Sequence, residues 1–263
     1  MSQPIADPFD LAAGESPLLV SFPHSGTGVT PAVEASLTPL GRTLGDTDWH
    51  APELYGFLRG HDVTVLQARY SRYVIDLNRP ADDTPLYSGA TTGLFPDINF
   101  DGEPLFEAGA APGEAERQRY LDEIWQPYHE CIRATLEDIR ERHGYALLFD
   151  VHTIRSRVPR LFEGQLPDLN LGTADGASCD PELVGRLQEV LESSDFTSVV
   201  NGRFKGGYIT RQYGQPERGI HAVQLELAQC NYMEEEPPFA YRPDRAEQLQ
   251  PVLRRFVATL LDW

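Results

Sequence analysis

The segment Tyr145-Ala-Leu-Leu-Phe-Asp-Val151 decides the fold class of this chain. It is apolar at almost every position, whereas a strand with one solvent-exposed face would alternate apolar and polar residues. A short apolar run of this kind, directly after Gly144, is typical of a strand covered on both faces. Such strands occur in parallel sheets with helices on either side, so the segment predicts an α/β protein.

The pattern continues outward from this strand in both directions. Further strands are predicted at residues 17–22, 63–67, 73–76 and 221–227. Helices are predicted near Thr30, at residues 112–143 with a kink or break at Pro127, at 181–191 and at 246–261. Residues 82–112 are rich in Gly, Pro, Asp and Thr and are predicted to form a long loop; whether it closes over a site is left open. We therefore expect one domain over residues 1–263 with a mixed, largely parallel central sheet.

Charge and composition exclude several classes of function. The formal net charge is −18, which repels nucleic acids and anionic membranes. The sequence has no apolar stretch of about 18 residues, as a transmembrane helix requires, and residues 1–14 show no secretory signal. The three cysteines form no Cys-x-x-Cys pair, which predicts reduced thiols in a cytoplasmic protein. The oligomeric state is left open.

Basic residues are concentrated in three segments around the most polar motifs. Lys205 is the single lysine, so arginine supplies nearly all of the positive charge. The guanidinium group binds carboxylates through two parallel hydrogen bonds, so these segments predict a small acidic substrate. Asn78 and Arg79 are the first candidates for holding one substrate carboxylate. The candidates for a second carboxylate are Arg155, Arg203, Lys205 and Arg211.

Two histidines lie where predicted strands end. His24 follows the strand at 17–22, and His152 follows the strand at 145–151. In open α/β sheets, sites form at the carboxyl ends of strands. A catalytic zinc ion takes three protein ligands and keeps a position for water, so both histidines are candidate ligands. Asp48 is the predicted third ligand, and the alternatives are Asp46, His50 and Glu53.

Two acidic residues on predicted strands complete the candidate site. Asp150 lies two residues before His152 and on the same face of the strand, so it is expected to orient that histidine. Glu226 lies in an apolar strand, where a carboxylate is costly to bury without a role. It is the candidate general base and acid, unless its strand is an edge strand and the side chain faces solvent. The sequence lacks the Gly-x-Ser-x-Gly and Gly-x-x-x-x-Gly-Lys motifs.

Eight segments, in order along the chain, match the motifs of a known family. They are Phe22-Pro-His-Ser-Gly26, Asp46-Thr-Asp-Trp-His50, Ser71-Arg-Tyr-Val-Ile-Asp-Leu-Asn-Arg79, Phe149-Asp-Val-His152, Pro159-Arg-Leu-Phe162, Leu171-Gly-Thr-Ala-Asp-Gly-Ala-Ser178, Lys205-Gly-Gly-Tyr-Ile-Thr210 and Gln224-Leu-Glu226. With these segments the chain resembles the N-formylglutamate amidohydrolases. The resemblance is specific because the pieces occur together and in sequence, not because any one of them is distinctive.

The resemblance implies a fold, a reaction and a cofactor. The implied fold is a three-layer α/β/α, phosphorylase/hydrolase-like arrangement similar to the zinc carboxypeptidases and aspartoacylases. The implied reaction is hydrolysis of N-formyl-L-glutamate, the last step of histidine degradation, with one divalent metal ion, Zn²⁺. In aspartoacylase-like enzymes a His-x-x-Glu pair supplies two ligands, whereas Thr27 replaces that glutamate here. The alternatives are hydrolysis of another N-acyl amino acid, or metal-free binding of acidic metabolites.

Overall fold

The computed structural model describes residues 5–86 and 89–263. Within these residues seven strands form one sheet. The strands are β1 (Phe9–Ala12), β2 (Leu18–Phe22), β3 (Thr64–Ala68), β4 (Ala146–Ile154), β5 (Leu169–Gly172), β6 (Ser198–Val200) and β7 (Ile220–Ala228). Their order across the sheet is β1-β3-β2-β4-β7-β5-β6.

The centre of the sheet is parallel and two pairings further out are antiparallel. Strand β2 runs parallel to β3 and β4, and β4 runs parallel to β7. Strand β1 is antiparallel to β3, β5 is antiparallel to β7, and β5 and β6 are parallel. The prediction of a mixed, largely parallel sheet is confirmed.

Helices cover both faces of the sheet. They are α1 (Pro31–Ser36), α2 (Ala51–Leu54), α3 (Glu114–Tyr120), α4 (Gln126–His143), α5 (Pro181–Glu192), α6 (Tyr208–Tyr213) and α7 (Pro243–Leu261). Buried side chains of α2, α5 and α7 share one core with the sheet, and those of α1, α3, α4 and α6 share a second. The three-layer α/β/α arrangement is thereby confirmed. None of the helices in the described part of the chain is long and apolar enough to cross a bilayer.

The two faces of β4 and β7 differ, and this difference positions the site. On one face, the side chains of both strands join the apolar core through Leu147, Phe149, Val151, Val223, Leu225 and Leu227. On the other face of β4, Leu148 is followed by Asp150 and His152, and the matching face of β7 carries Gln224 and Glu226. The register places Asp150 beside Gln224 and His152 beside Glu226. Because the strands are parallel, their polar carboxyl-terminal ends meet at one edge of the sheet.

Most predicted strands are present, and one is wrong. The predictions at 17–22, 63–67, 145–151 and 221–227 correspond to β2, β3, β4 and β7. Residues 73–76 are not a strand, because Val74 donates to the Ser71 carbonyl and closes a turn. Strands β1, β5 and β6 were not predicted, since none exceeds four residues and so none shows a period.

The predicted helix at 112–143 is divided. Helices α3 and α4 are joined by a π-helical turn at Leu121–Trp125, which ends two residues before Pro127. Proline has no N–H to donate to the preceding turn, and the wider turn absorbs the missing hydrogen bond. The described residues of the predicted loop, 82–86 and 89–112, contain no helix or strand, as expected.

Candidate active site

His24 lies two residues beyond β2 and is held by a buried carboxylate. Its Nε2 lies 2.7 Å from Oδ1 of Asp76 and donates to it. Arg72 binds the other oxygen of Asp76 at 2.6 Å and approaches Nδ1 of His24 at 3.3 Å. Burial and Arg72 lower the pKa of His24, although Asp76 acts in the opposite direction. The ring is therefore neutral, with a lone pair on Nδ1 that is available to a ligand once Arg72 gives up this contact.

His152 lies inside β4 and is held in the same way. Its Nε2 is 2.9 Å from Oδ2 of Asp150, and its Nδ1 is 3.5 Å from Oδ2 of Asp48. Burial acts to lower the pKa of His152, but the two carboxylates together raise it well above its usual value. Asp150 thus contacts His152 as the shared strand face predicts. Carboxylates that hold the far nitrogen of a histidine are typical of metal sites.

Asp48 completes this group. Its backbone N–H donates to the carbonyl of His24 at 3.0 Å, which fixes it beside that histidine. Its side chain is buried, and among the described residues neither carboxylate oxygen has a hydrogen-bond partner. Buried carboxylates without partners are rare, because burial without hydrogen bonds is costly. Ligand atoms of His24, Asp48 and His152 all lie within 4.8 Å of one another, so the group could hold a metal ion.

The charge of the group also fits a divalent cation. Asp48, Asp76 and Asp150 contact the two histidines, while the guanidinium of Arg72 contacts the same group. Three carboxylates against one guanidinium leave two negative charges once a bound metal ion has displaced the proton that the raised pKa of His152 otherwise keeps on that ring. Buried charge needs compensation, and a divalent ion supplies that amount. Two nitrogen ligands and one carboxylate oxygen suit zinc, among other divalent metals.

The alternative third ligands lie away from this group. Asp46 is buried, but its Oδ2 accepts from the backbone N–H of Phe100 at 2.9 Å. His50 lies 2.8 Å from the carbonyl of Phe239 through Nε2, and its Nδ1 faces Glu53 at 3.2 Å. The side chain of Glu53 is exposed. The sequence offered four candidates for the third ligand. Of these, the structure places Asp48 beside His24 and His152.

Glu226 lies on the neighbouring strand and borders the same cavity. The alternative of a solvent-facing side chain on an edge strand is wrong, because β7 lies between β4 and β5 and Glu226 is buried. Its Oε2 accepts a hydrogen bond from Gln224 at 3.1 Å. Burial raises the pKa of Glu226 to about 7, with Asp48 adding to the shift and His152 opposing it. A carboxyl with a pKa near neutrality can both accept and donate a proton.

A cavity connects these groups to two of the predicted substrate-binding arginines. It is bordered by His24, His152, Glu226, Arg79 and Arg203. Arg79 donates to the carbonyls of Thr92 and Asn78 and to the hydroxyl of Thr91, at 2.8 to 3.0 Å. Arg203 donates to the carbonyls of Leu161 and Ala90 at 2.8 and 3.2 Å. Each guanidinium is therefore held at the cavity wall by neighbouring backbone.

Asn78 also borders the cavity, and both ends of its amide have contacts. Oδ1 accepts from the backbone N–H of Ile209 at 2.8 Å, and Nδ2 lies 2.9 Å from Nε2 of His152. Asn78 thus links the start of α6 to the histidine on β4.

Three predicted substrate-binding residues do not reach the cavity. Arg155 pairs with Asp101 at 2.7 Å and lines a separate cavity with Asp46. Lys205 pairs with Asp175 at 3.0 Å on the surface. Arg211 donates to the carbonyl of Gly206 at 2.8 Å. These residues share segments with residues at the cavity, but their side chains bind elsewhere.

Arg72, Asp76 and Gln224 contact predicted site residues but were not themselves predicted. Arg72 borders the cavity and stacks over Phe100, with its guanidinium carbon 4.7 Å from the ring centroid. Asp76 and Gln224 contact His24 and Glu226 respectively. A signal for Gln224 was available, because it precedes Glu226 by two residues and so shares its strand face.

Comparisons with known proteins agree with this geometry. A sequence profile described as N-formylglutamate amidohydrolase matches residues 16–233. N-formylglutamate deformylases from Pseudomonas aeruginosa and Pseudomonas putida are 58% and 57% identical over 251 residues, covering 95% of this chain and 94% of each relative. A crystal structure of N-formylglutamate amidohydrolase from Ralstonia eutropha JMP134 is similar, with a TM-score of 0.83 and 26% identity, covering 97% of this chain and 98% of that one.

Proposed function

The chain belongs to the N-formylglutamate amidohydrolase family, and we propose that it hydrolyses N-formyl-L-glutamate to formate and L-glutamate. One structural observation carries this proposal. A single cavity is bordered by His24, His152, a buried glutamate and three arginines. These are the parts needed to bind a small dicarboxylate and to hydrolyse its amide. In the cell the reaction serves as the last step of histidine degradation, and the free cysteines Cys131, Cys179 and Cys230 suit a cytoplasmic enzyme.

His24, Asp48 and His152 would hold one divalent metal ion, Zn²⁺, in this mechanism. When bound, the ion would polarise the formyl carbonyl and lower the pKa of a water molecule. The buried Asp48 carboxylate, which accepts no hydrogen bond from the described residues and lies 3.5 Å from Nδ1 of His152, supports this role. Asp76 and Asp150 keep the Nε2 atoms of the two histidines occupied, so that each Nδ1 faces inward.

Glu226 performs the proton transfers. As a carboxylate it takes a proton from the water that attacks the formyl carbon. The resulting carboxyl group then delivers this proton to the amide nitrogen as the bond to carbon breaks, so that glutamate leaves with a neutral amine. The guanidinium of Arg72, at the cavity wall beside His24, stabilises the negative charge that develops on the formyl oxygen.

Arg79 and Arg203 bind the two carboxylates of the substrate. The formyl group is too small to provide much specificity, so recognition depends on the glutamate portion. Of the three arginines at the cavity, Arg72 pairs with Asp76 beside His24, which leaves Arg79 and Arg203 for the two carboxylates of N-formyl-L-glutamate. They also provide the local positive charge that a chain with a net charge of −18 needs to bind a dianion.

Formate release tests the proposal directly. Purified protein is assayed with N-formyl-L-glutamate, N-formyl-L-aspartate, N-formyl-L-glutamine and N-acetyl-L-glutamate, before and after chelation, and the metal content of the same sample is measured. We expect N-formyl-L-glutamate to have the highest kcat/KM, and activity to be lost on chelation and restored by zinc.

The other outcomes are equally informative. A higher kcat/KM for another N-acyl amino acid would identify that compound as the preferred substrate. Full activity after complete metal removal would show that the reaction needs no metal. Tight binding of the acidic compounds without turnover, in protein that contains no metal, would indicate a binding protein.

A further inference from the structure

Gln224 connects the start of α6 to the proposed catalytic glutamate. Its Oε1 accepts from the backbone N–H of Gly207 at 2.8 Å, and its Nε2 donates to Oε2 of Glu226 at 3.1 Å. Gln224 is buried, as is Glu226, and the two side chains lie on the same face of β7. Within the described residues, the Glu226 carboxylate makes its side-chain hydrogen bond to Gln224.

The backbone that anchors Gln224 is closely packed against its neighbours. A Cβ on Gly207 would lie 2.2 Å from Nδ2 of Asn78, and a Cβ on Gly172 would lie 2.5 Å from the backbone nitrogen of Gly206. Gly206 itself has a φ of +106°, a conformation that favours glycine. The turn before α6 is therefore packed directly against β5 and Asn78, and the Gly207 N–H has a fixed position.

The fixed N–H determines which way the Gln224 amide points. Because the Gly207 N–H requires an acceptor, the oxygen of the amide faces α6 and its NH₂ group faces Glu226. One carboxylate oxygen of Glu226 is thereby held, while the other is left to act on the substrate and water. A residue that delivers protons must keep its geometry to within a fraction of an ångström, so loss of this contact reduces the rate.

We propose that Gln224 is a positioning residue that holds the Glu226 carboxylate in its catalytic orientation. The inference rests on the proposed role of Glu226 as base and acid. Gln224 borders the cavity, but its amide contacts Gly207 and Glu226 rather than a candidate metal ligand or a substrate-binding arginine, so its loss should affect turnover more than substrate binding.

Gln224→Met and Gln224→Glu test the proposal. Methionine has a similar volume and removes both hydrogen bonds, whereas glutamate keeps an acceptor for Gly207 and replaces the donor to Glu226 with an oxygen. We expect each change to lower kcat by about 10- to 100-fold, with KM within about threefold of wild type and unchanged metal content. Gln250→Met is the matched control, because Gln250 donates to the carbonyl of Leu54, away from the cavity, and should keep its kcat.

A double-mutant cycle separates positioning from a general structural effect. In a Glu226→Ala background there is no carboxylate to position, so adding Gln224→Met should change the residual rate by less than about twofold. An equal loss in both backgrounds would overturn the inference, as would a wild-type kcat in either Gln224 variant. If Glu226→Ala itself keeps the wild-type rate, the proposed role of Glu226 fails, whereas an inactive Glu226→Ala with a fully active Gln224→Glu refutes the inference alone.

Discussion

Arg203 and Lys205 show how much depends on the direction of one side chain. They are two residues apart in a segment without regular structure, and both are basic. Arg203 borders the cavity, whereas Lys205 pairs with Asp175 at the surface. Two residues apart in a strand would share a face, but an irregular segment has no such rule.

The two variants Arg203→Ala and Lys205→Ala should therefore differ. We expect Arg203→Ala to lower kcat/KM for N-formyl-L-glutamate by about 100-fold or more, since it removes a charge-assisted contact to a substrate carboxylate. The loss in Lys205→Ala should be at least about tenfold smaller. Steady-state kinetics on both proteins decides this, and an equal loss would return Lys205 to the list of carboxylate ligands. We expect Arg79→Ala to lower kcat/KM by a similar factor to Arg203→Ala. An unchanged kcat/KM in Arg79→Ala would show that Arg79 does not bind the substrate.

Helix α6 has only six residues, but its first turn contacts two side chains of the site. Gly207 and Ile209 donate their backbone N–H groups to Gln224 and Asn78. Those amides in turn contact Glu226 and His152. The placement of a short helix thus sets the positions of groups on β4 and β7.

Gly207→Ala tests this placement. Gly207 has a φ of −82°, so alanine is allowed by the backbone, and the cost is the clash of its Cβ with Asn78. We expect a loss of about 1–3 kcal/mol in the free energy of unfolding, together with a lower kcat. Gly185→Ala is the control, because Gly185 lies inside α5 with open space around it and should gain about 0.5–1 kcal/mol. Urea unfolding measures both, and wild-type stability for Gly207→Ala would contradict the tight packing described above.

His129 joins α4 to the segment that carries Asn78. Its Nε2 donates to the carbonyl of Leu77 at 2.9 Å, and its Nδ1 lies 3.0 Å from the hydroxyl of Tyr213. Burial lowers the pKa of His129 to about 3. The folded protein therefore keeps this ring neutral at a pH where the unfolded chain, with a histidine pKa of about 6.5, binds a proton.

The contribution of His129 to stability should consequently depend on pH. It is fully present above about pH 6.5 and is lost as the pH falls toward 3, since the unfolded state binds more protons in this range. At pH 5 the loss from this group is about 2 kcal/mol. His129→Gln keeps a donor for Leu77 without a titrating group, so the difference in unfolding free energy between pH 7 and pH 5 should shrink by that amount. An identical pH dependence in both proteins would show that the ring is protonated when folded.

At the scale of the whole molecule, the proposed metal group ties distant parts of the chain together. His24 follows β2, Asp48 lies before α2, and His152 lies on β4. An ion bound by all three holds the folded arrangement and is released on unfolding, so it must add to stability.

Chelation should therefore lower the free energy of unfolding. For a metal present at about 100 to 1,000 times its dissociation constant, the expected loss is about 3–4 kcal/mol. Asp48→Asn should reduce the difference between metal-loaded and chelated protein to below about 1 kcal/mol, while Glu53→Gln, at an exposed position, should keep it. Thermal unfolding with parallel metal analysis measures this, and a full difference in Asp48→Asn would reassign the third ligand.

The sequence by itself determined the fold class and the strands that carry the chemistry. The apolar run in β4 predicted a covered parallel strand, and such a pattern is local, because burial on both faces requires apolar residues at successive positions. The predicted strands also showed that His24, Asp150, His152 and Glu226 lie near strand ends, where the sites of open sheets form. The family motifs added the reaction, because they record the chemistry of those positions.

Only the tertiary structure decided which side chains of the irregular segments converge. The sequence ranks Asp48 ahead of Asp46 and His50 without excluding them, and in the structure Asp48 alone of the three turns toward His24 and His152. Arg79 and Arg203 reach the cavity, whereas Arg155, Lys205 and Arg211 do not. The physical reason is that irregular backbone has no repeating direction, so the position of each side chain is set by long-range packing, such as the contact of Gly207 with Asn78.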